Sequence, residues 1–477
     1  MLFTSLEFLL MFLPVAVGVC FILPRDEDWW NVWLLIVSLF FYAWGEPAFV
    51  IVMVLSICMN YAFARLISAR SEPKKKKKIL VLSVVANLGI LFVFKYLNFL
   101  ISVLHSALPI TAQYIPQTQI ALPIGISFFT FQAMSYVIDV YRGIKAQRSI
   151  VNFGLYVSFF PQLIAGPIVR YTTVMREIRR RKLTLEGFIR GMLRFMRGFN
   201  KKVLLANMLA EVAEKTFGQS GISVGMAWLG AIAYALQIFF DFSGYSDMAI
   251  GLGQVFGFHF MENFDYPYIS KTITEFWRRW HMSLGSWFRD YVYFPLGGSR
   301  VDSKWKLVRN LAVVWCLTGI WHGANWTFIL WGALYGVIII IEKLLNIPKH
   351  IDRAFFPFRF VYRVFAMLLV LLGWVLFNSA DIGSAVAYIR SMIPTGGAVL
   401  FDREFFLNLR EYAFFWVGGI LCCTPLFSWI KGKLEARGGS VALAAANISG
   451  LWQLALFLFS VSCLVISSHN PFIYFNF

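Results

Sequence analysis

Charged residues are scarce in this sequence. Asp, Glu, Lys and Arg make up only 14% of the 477 residues, whereas 59% are hydrophobic and 18% are aromatic. A soluble domain usually carries about 25% charged residues. No stretch of domain size is polar enough to fold alone in water. The composition therefore excludes a soluble globular protein and indicates one integral-membrane domain over residues 1–477.

The sequence also lacks the motifs of several common enzyme classes. It has no Walker motif, no GxSxG nucleophile elbow and no HExxH zinc helix. Its six cysteines form no CxxC pair and show no metal-ligand spacing. We therefore expect no disulfide, no metal site and no bound cofactor.

Acidic residues are few, since 25 of them stand against 43 lysines and arginines, for a net charge of +18. In a soluble protein this excess would suggest nucleic acid as a partner. Here the basic residues lie mainly between apolar segments, which is the pattern of the positive-inside rule. We therefore expect them to face anionic membrane lipids and not nucleic acid.

Apolar runs recur along the whole chain. Because about 20 apolar residues cross a bilayer as a helix, these runs predict an all-α polytopic fold with about 10–13 transmembrane helices. Short runs such as 308–323 are predicted to be re-entrant or to end at mid-depth in the membrane. The first run, near residues 3–23, has no basic flank and no cleavage site after it, so we expect a retained span.

The basic loops predict the orientation. The loop SEPKKKKKIL (71–80) and the stretch 170–202, which has eleven basic and two acidic residues, are expected in the cytoplasm. Counting spans from either end of the chain then predicts that both termini are extracytoplasmic. The aromatic tail SSHNPFIYFNF would lie on that outer side.

Segment 184–208 has the pattern of an amphipathic helix on the membrane surface. Thr184 is a suitable N-cap for it. Basic residues recur on one face, namely Arg190, Arg194, Arg197 and Lys201. Contact with lipid headgroups is sufficient to explain this basic face. Binding of an anionic acyl donor is a more specific alternative function for it.

Segment 273–291, which contains EFWRRWHMSL, has a similar pattern. On a helical wheel its aromatic residues cover one arc, Arg278 and Arg279 lie on the opposite arc, and His281 falls at the border. This predicts a second interfacial helix. Aromatic and headgroup contacts explain the pattern without catalysis, so the wheel alone leaves the role of His281 open.

Another histidine, His322, lies inside an apolar run in LTGIWHGANW (317–326). An ionisable side chain in a membrane span is costly and marks a functional site by default. A hydrogen bond to a neighbouring helix would also account for it. As a neutral imidazole it would be a suitable general base near pH 7. We predict that it is catalytic, in a cavity that includes Trp321 and Asn325.

The stretch FFDFSGYSDMAIGLG (239–253) interrupts a long apolar helix with polar residues. A helix break bonded to its neighbours is one explanation. A water-filled cavity is the other. In that case the lining would include Asp241, Ser243, Tyr245 and Asp247.

Histidines without a nucleophile triad suit acyl transfer from a thioester, because the acyl group arrives activated and the hydroxyl needs only a base. Three stretches together resemble the membrane-bound O-acyltransferase (MBOAT) family, and in particular its bacterial branch of alginate and peptidoglycan O-acetyltransferase subunits. They are FFDFSGYSDMAIGLG, ENFDYPYISKTITEFWRRWHMSLGSWFRDYVYFPLGG (262–298) and LTGIWHGANW. The resemblance covers roughly residues 1–345 and the tail.

The resemblance implies a tunnel across the bilayer, through which the acetyl group of cytoplasmic acetyl-CoA passes to the outer face. His322 matches the family's invariant histidine and His281 a second one, with Arg278 and Arg279 on the donor side. The tail 469–477 is similar to a motif whose tyrosine is thought to relay the acyl group, which makes Tyr474 a candidate carrier. The implied partners are a polysaccharide or peptidoglycan acceptor and an extracytoplasmic SGNH-type, esterase-like acetyltransferase.

We therefore predict an O-acetyltransferase of the bacterial cytoplasmic (inner) membrane that serves an extracytoplasmic polysaccharide. One alternative is a D-alanyl transferase for teichoic acid that uses a carrier-protein thioester, although there the aromatic motif sits on a separate chain. A second alternative, from another class, is a proton-coupled transporter. The sequence shows no inverted repeat, which counts against it.

Overall fold

The computed structural model describes residues 1–24, 26–118 and 120–466 together with Ile473. Within these residues the chain consists of helices joined by turns and loops and contains no β-strand, which confirms the all-α prediction. The chain divides into two compact units. The first comprises Met1–Phe195 and Met248–Met261, and the second comprises Met196–Asp247 and Glu262–Phe477.

The first unit contains helices that are linked by paired amides. Asn60 and Asn87 exchange side-chain hydrogen bonds at 3.0 and 2.8 Å, so each amide satisfies the other in apolar surroundings. The helices are α1 (Leu13–Ile22), α2 (Glu27–Gly45), α3 (Val50–Ser68), α4 (Pro73–Leu91), α5 (Leu97–Ala107), α6 (Ile126–Tyr141), α7 (Ile150–Ser158), α8 (Phe160–Leu163), α9 (Tyr171–Arg179) and the first part of α10 (Leu185–Asn200). Shorter 3₁₀ or π-helical turns lie at Phe8–Phe12, Phe92–Tyr96 and Pro109–Gln113.

The second unit begins within α10 and carries the residues that the sequence singled out. Its helices are α11 (Asn207–Glu214), α12 (Val224–Val255, of which residues 248–255 belong to the first unit), α13 (Ile273–Arg279), α14 (Met282–Phe288), α15 (Lys304–His322), α16 (Trp326–Leu344), α17 (Ile347–Arg353), α18 (Phe356–Asn378), α19 (Ile382–Ser391), α20 (Arg403–Glu411), α21 (Ala413–Cys422), α22 (Leu426–Glu435) and α23 (Gly439–Ile466). Shorter turns lie at Lys201–Ala206, Pro267–Ile269 and Arg289–Tyr293.

Among the described residues, six helices are long and apolar enough to cross a membrane: α3, the run Pro73–Ala107, α12, α16, α18 and α23. The pair α21 and α22, bent by 60°, would make a seventh span. These helices agree with a polytopic membrane protein. The number is lower than the about 10–13 predicted, because other apolar runs form shorter or interrupted helices such as Phe8–Ile22.

The N-terminal cap of α10 is confirmed, since Thr184 Oγ1 accepts the backbone N–H of Gly187 at 3.1 Å. The predicted basic face is wrong at Lys201. This lysine lies in the π-helical turn after α10 and forms an ion pair of 2.7 Å with Asp247. A helical wheel contains no information about a carboxylate on another helix, and that carboxylate determines where Lys201 lies.

The antiparallel helices α15 and α16 are in backbone contact at two glycines. A Cβ atom at Gly332 would lie 2.6 Å from the carbonyl oxygen of Trp315 and 2.8 Å from the Cα of Gly319. Real Cβ atoms do not approach backbone this closely, so glycine is required for the contact. This contact places the end of α15, and therefore His322, close to α16.

Gly332→Ala should destabilise the protein, because the added methyl group forces α15 and α16 apart. Overpacking of this kind typically costs about 1–3 kcal/mol. The matched control is Gly89→Ala on α4, where a Cβ would meet nothing within 4 Å. Thermal unfolding in detergent should show a lower midpoint for Gly332→Ala and an unchanged or higher one for Gly89→Ala. Equal midpoints for both variants would contradict the assigned role of the glycine contact.

Candidate active site

The segment with the arginines and His281 is broken at the histidine. Trp280 is extended, with φ −100° and ψ 129°, and His281 lies in the left-handed region, with φ 46° and ψ 53°. This conformation is uncommon for a residue other than glycine and often accompanies functional sites. The prediction of one continuous interfacial helix over 273–291 is therefore wrong, since α13 ends before the histidine and α14 begins after it.

Asn263 holds this break by supplying hydrogen-bond acceptors to the start of α14. Its backbone oxygen accepts the N–H of Met282 at 2.9 Å. Its side-chain Oδ1 accepts the backbone N–H of Ser283 at 3.2 Å and the Ser283 hydroxyl at 2.8 Å. The first N–H groups of a helix have no partner within the helix, so Asn263 stabilises a start at this point. The helical wheel missed the break because these acceptors lie outside the segment.

The amide of Asn263 also determines which nitrogen of His281 carries the proton. Because Oδ1 accepts from Ser283, Nδ2 is the donor, and it bonds to Ser246 Oγ at 3.0 Å. The acceptor Oδ1 lies 3.1 Å from His281 Nδ1. That nitrogen must therefore be the donor.

His281 is buried, with an exposed fraction of only 3%, and it lies outside the long apolar helices. Burial lowers the pKa of its imidazole, because the charged form loses hydration. The ring is therefore neutral near pH 7. With the proton on Nδ1, the lone pair is on Nε2, which makes this atom a proton acceptor.

His322 is the last residue of α15 and is also buried. Its ring makes edge contacts with Trp321 at 5.0 Å, Trp331 at 5.0 Å and Phe377 at 5.2 Å between centroids. The Trp321 ring is also 6.0 Å from the ring of His281. The structure thus brings both predicted catalytic histidines to the same indole. This proximity is not contained in the spacing of the two motifs.

Aromatic side chains surround this pair of histidines. Trp331, which contacts His322, also packs on Trp277 at 5.2 Å and on Tyr335 at 5.2 Å. Trp280 stacks on Phe276 and lies 4.8 Å from Trp374. Such a cluster excludes water and lowers the local dielectric, which strengthens each electrostatic interaction inside it.

The polar residues of α12 are divided between two roles. Asp241 pairs with Lys202 at 2.7 Å and Asp247 pairs with Lys201 at 2.7 Å, so two lysines compensate the two carboxylates. The sequence alone did not predict that these lysines and aspartates form ion pairs. Between them, Ser246 bonds Asn263, and the ring of Phe242 lies edge-on to His281 at 4.6 Å. Thus α12 supports the turn at His281.

Two further residues of the predicted cavity, Ser243 and Tyr245, are buried on the same helix. Ser243 Oγ has no hydrogen-bond partner within the described part of the chain. A buried hydroxyl without a partner is costly, and a water molecule or substrate group is a common explanation. Ser243 is therefore a candidate contact for a substrate oxygen.

The remaining predicted residues that the structure describes have partners other than the two histidines, or are exposed. Asn325 caps α16, accepts the N–H of Thr327 at 3.1 Å and donates to the carbonyl oxygen of Ala380 at 2.8 Å. Arg279 forms ion pairs at 3.0 Å with two carboxylates, those of Glu275 and Asp265, whereas Arg278 is exposed. Tyr474 lies outside the described residues.

Asn263 is a candidate positioning residue that sequence reasoning missed. It stands within the quoted stretch 262–298, but its residue type gives no local signal of catalysis. Its exposed fraction of 1% shows that the amide is fully withdrawn from solvent. A buried amide must be hydrogen-bonded, and three of its partners belong to the break at His281.

Two buried histidines on the same indole suit proton transfer, in an enzyme or in a transporter. Comparison with known proteins distinguishes these classes. A family model described as MBOAT, membrane-bound O-acyltransferase family, matches residues 38–382. The chain belongs to this family, and it is accordingly a multi-pass membrane O-acyltransferase.

Individual relatives extend the match over the whole chain. A probable alginate O-acetylase of Azotobacter vinelandii is 41% identical over 100% of both chains. A peptidoglycan O-acetyltransferase of Helicobacter pylori is 32% identical over 100% of this chain and 98% of its own. A teichoic acid D-alanyltransferase of Streptococcus thermophilus is 31% identical over 48% of this chain and 59% of its own. Family membership favours the enzyme over the transporter alternative.

Replacing Asn263 with alanine should reduce catalysis more than it reduces stability. The change leaves the Ser283 N–H, the Ser283 hydroxyl and His281 Nδ1 without their acceptor, which typically costs about 1–3 kcal/mol. Misplacement of a catalytic group by about 1 Å can cost about 100-fold in rate. We expect a loss of this size in kcat, measured on the folded fraction of purified enzyme.

The control is Asn408→Ala, because Asn408 is equally buried, at 1% exposed. It bonds to Lys215 and to the carbonyl oxygen of Glu404, and not to either histidine. This variant should lose stability while the folded fraction keeps its kcat. If Asn263→Ala and Asn408→Ala behaved alike, the role of Asn263 in positioning His281 would be refuted.

Proposed function

We propose that this protein is an O-acetyltransferase of the bacterial cytoplasmic membrane that uses cytoplasmic acetyl-CoA to serve O-acetylation of an extracytoplasmic polysaccharide. The observation that carries the proposal is the arrangement of His281 and His322 around Trp321. Relatives named for O-acetylation of alginate and of peptidoglycan match the full length of the chain. Their names support acetyl as the acyl group and a polysaccharide or peptidoglycan as the final acceptor.

In the proposed reaction His322 is the general base. It takes the proton of the acceptor hydroxyl as the hydroxyl oxygen attacks the thioester carbonyl carbon. The carbon–sulfur bond then breaks, and the proton passes from the imidazole to the sulfur of the leaving coenzyme A. His281, whose Nε2 carries the lone pair, is a second acceptor that orients the hydroxyl. The aromatic surroundings keep water from competing for the acetyl group.

The hydroxyl that first receives the acetyl group is proposed to be that of Tyr474. This residue lies outside the described residues, but its neighbour Ile473 is buried, and the Ile473 backbone N–H donates to Asp241 at 2.9 Å. In the proposed topology both termini are extracytoplasmic. An acetyl-tyrosine there would be available to a separate extracytoplasmic SGNH-type transferase, which would move the acetyl group to the polysaccharide hydroxyl.

The donor is proposed to enter from the cytoplasmic side, where the basic residues attract the phosphates of coenzyme A. Arg278 is exposed and is a candidate for this contact. Arg279 forms ion pairs with Glu275 and Asp265. We therefore propose that it stabilises the position of α13. No bound cofactor is required, because the thioester supplies the activated acetyl group.

Purified protein in detergent should release coenzyme A from radiolabelled acetyl-CoA and retain the label. His322→Ala should lower this rate by about 100-fold or more, since general-base catalysis typically contributes 10²–10⁴-fold. His281→Ala should also lower it. The control is His350→Ala, because His350 is exposed on α17 and should keep the wild-type rate.

Equal rates for wild type and His322→Ala would refute the acetyltransferase proposal. Transfer of D-alanine from a carrier-protein thioester, with no reaction of acetyl-CoA, would instead favour the teichoic acid alternative. That alternative is supported by a relative that covers only 48% of this chain.

A further inference from the structure

The ion pair between Lys202 and Asp241 is buried within the second unit. Lys202 Nζ lies 2.7 Å from Asp241 Oδ1, and the two side chains are 4% and 2% exposed. Lys202 also donates to Asn207 Oδ1 at 2.8 Å. Burying two charges carries a desolvation cost that their mutual attraction often fails to recover. In a membrane protein such a pair is therefore a candidate for function.

The second carboxylate oxygen of Asp241 has a partner from the far end of the chain. Asp241 Oδ2 accepts the backbone N–H of Ile473 at 2.9 Å. Ile473 is 5% exposed, so its side chain is buried while its N–H meets the carboxylate. A hydrogen bond to an ionised acceptor is roughly twice as strong as one between neutral groups. Lys202 thus contacts Oδ1 of the Asp241 carboxylate, and Ile473 of the tail contacts Oδ2.

We propose that the Lys202–Asp241 pair is a docking site for the protein's own C-terminal segment, which it holds by the backbone N–H of Ile473. Asp241 is then a positioning residue and not a lining residue of a water-filled cavity. Its further consequence rests on the proposed function: docking of Ile473 holds the next residue, Tyr474, where it can receive the acetyl group.

The neighbouring pair Lys201–Asp247 provides a comparison of matched chemistry. It joins the same two elements, the turn Lys201–Ala206 and α12, at the same distance of 2.7 Å. Its side chains are more exposed, at 26% and 13%. If burial of charge alone mattered, both pairs would affect the tail similarly. If the Ile473 hydrogen bond matters, only Lys202–Asp241 should do so.

The test of docking is amide hydrogen exchange of the full-length protein in detergent, without acetyl-CoA, followed by mass spectrometry of the C-terminal peptide. The variant is Lys202→Met/Asp241→Leu, which removes the acceptor without leaving an unpaired charge, a replacement that stable folds often tolerate. We expect the Ile473 amide to exchange at least tenfold faster than in wild type. Lys201→Met/Asp247→Leu should leave its exchange unchanged. Unchanged exchange in the first variant, or equal acceleration in both, would overturn the docking proposal.

A second measurement changes the tail and leaves the ion pair intact. Ile473→Pro removes the N–H donor, whereas Ile473→Val keeps it. With radiolabelled acetyl-CoA, Ile473→Pro should lower kcat at least tenfold and leave KM for acetyl-CoA unchanged, because the change misplaces the acceptor hydroxyl and leaves the basic residues proposed to bind coenzyme A intact. Ile473→Val should keep both constants. Identical kinetics for the two variants would overturn the positioning role.

These measurements also separate the two proposals. Fast exchange in Lys202→Met/Asp241→Leu, combined with no acetyl group on Tyr474 of the wild-type enzyme after turnover, would support docking and contradict the tyrosine relay. Slow exchange in that variant, with Tyr474 acetylated, would overturn docking and support the relay.

Discussion

The candidate site depends on the hydrogen bonds of one buried amide, that of Asn263. Its acceptors start α14 directly after His281, which lets the backbone of the histidine adopt a left-handed conformation. The same Oδ1 faces His281 Nδ1 and so leaves the lone pair on Nε2. The Asn263 side chain therefore accounts both for the backbone conformation of His281 and for the position of the proton on its ring. Ser246, which receives the amide's N–H, connects this arrangement to α12.

Removal of water is the second constraint on the site. Trp321 and Trp331 pack directly on His322, and burial keeps the imidazole of His281 neutral. In such surroundings an unpaired charge would be very costly. The acidic residues of α12 are accordingly paired with lysines. The proposed reaction suits this environment, because acyl transfer from a thioester to a hydroxyl needs a proton acceptor and protection from hydrolysis.

The sequence was informative wherever the signal is local. Apolar length predicted the helical membrane fold, Thr184 predicted a helix start, and the motifs identified His281 and His322. Contacts between residues that are far apart in the sequence could not be predicted from it. The break at His281 requires acceptors from Asn263, and Lys201 leaves the predicted surface face to pair with Asp247. The resemblance named two histidines, but only the folded chain brings them to the same indole.

The proposed role of His281 requires a neutral imidazole with its proton on Nδ1. Solid-state NMR of the protein in bilayers, with isotope-labelled histidine, observes this tautomer directly. The chain has six histidines, so the His281 signal is assigned by difference from a His281→Gln sample. At pH 7 we predict a neutral ring with a protonated Nδ1 and an unprotonated Nε2. A charged imidazolium, or a neutral ring protonated on Nε2, would contradict this prediction.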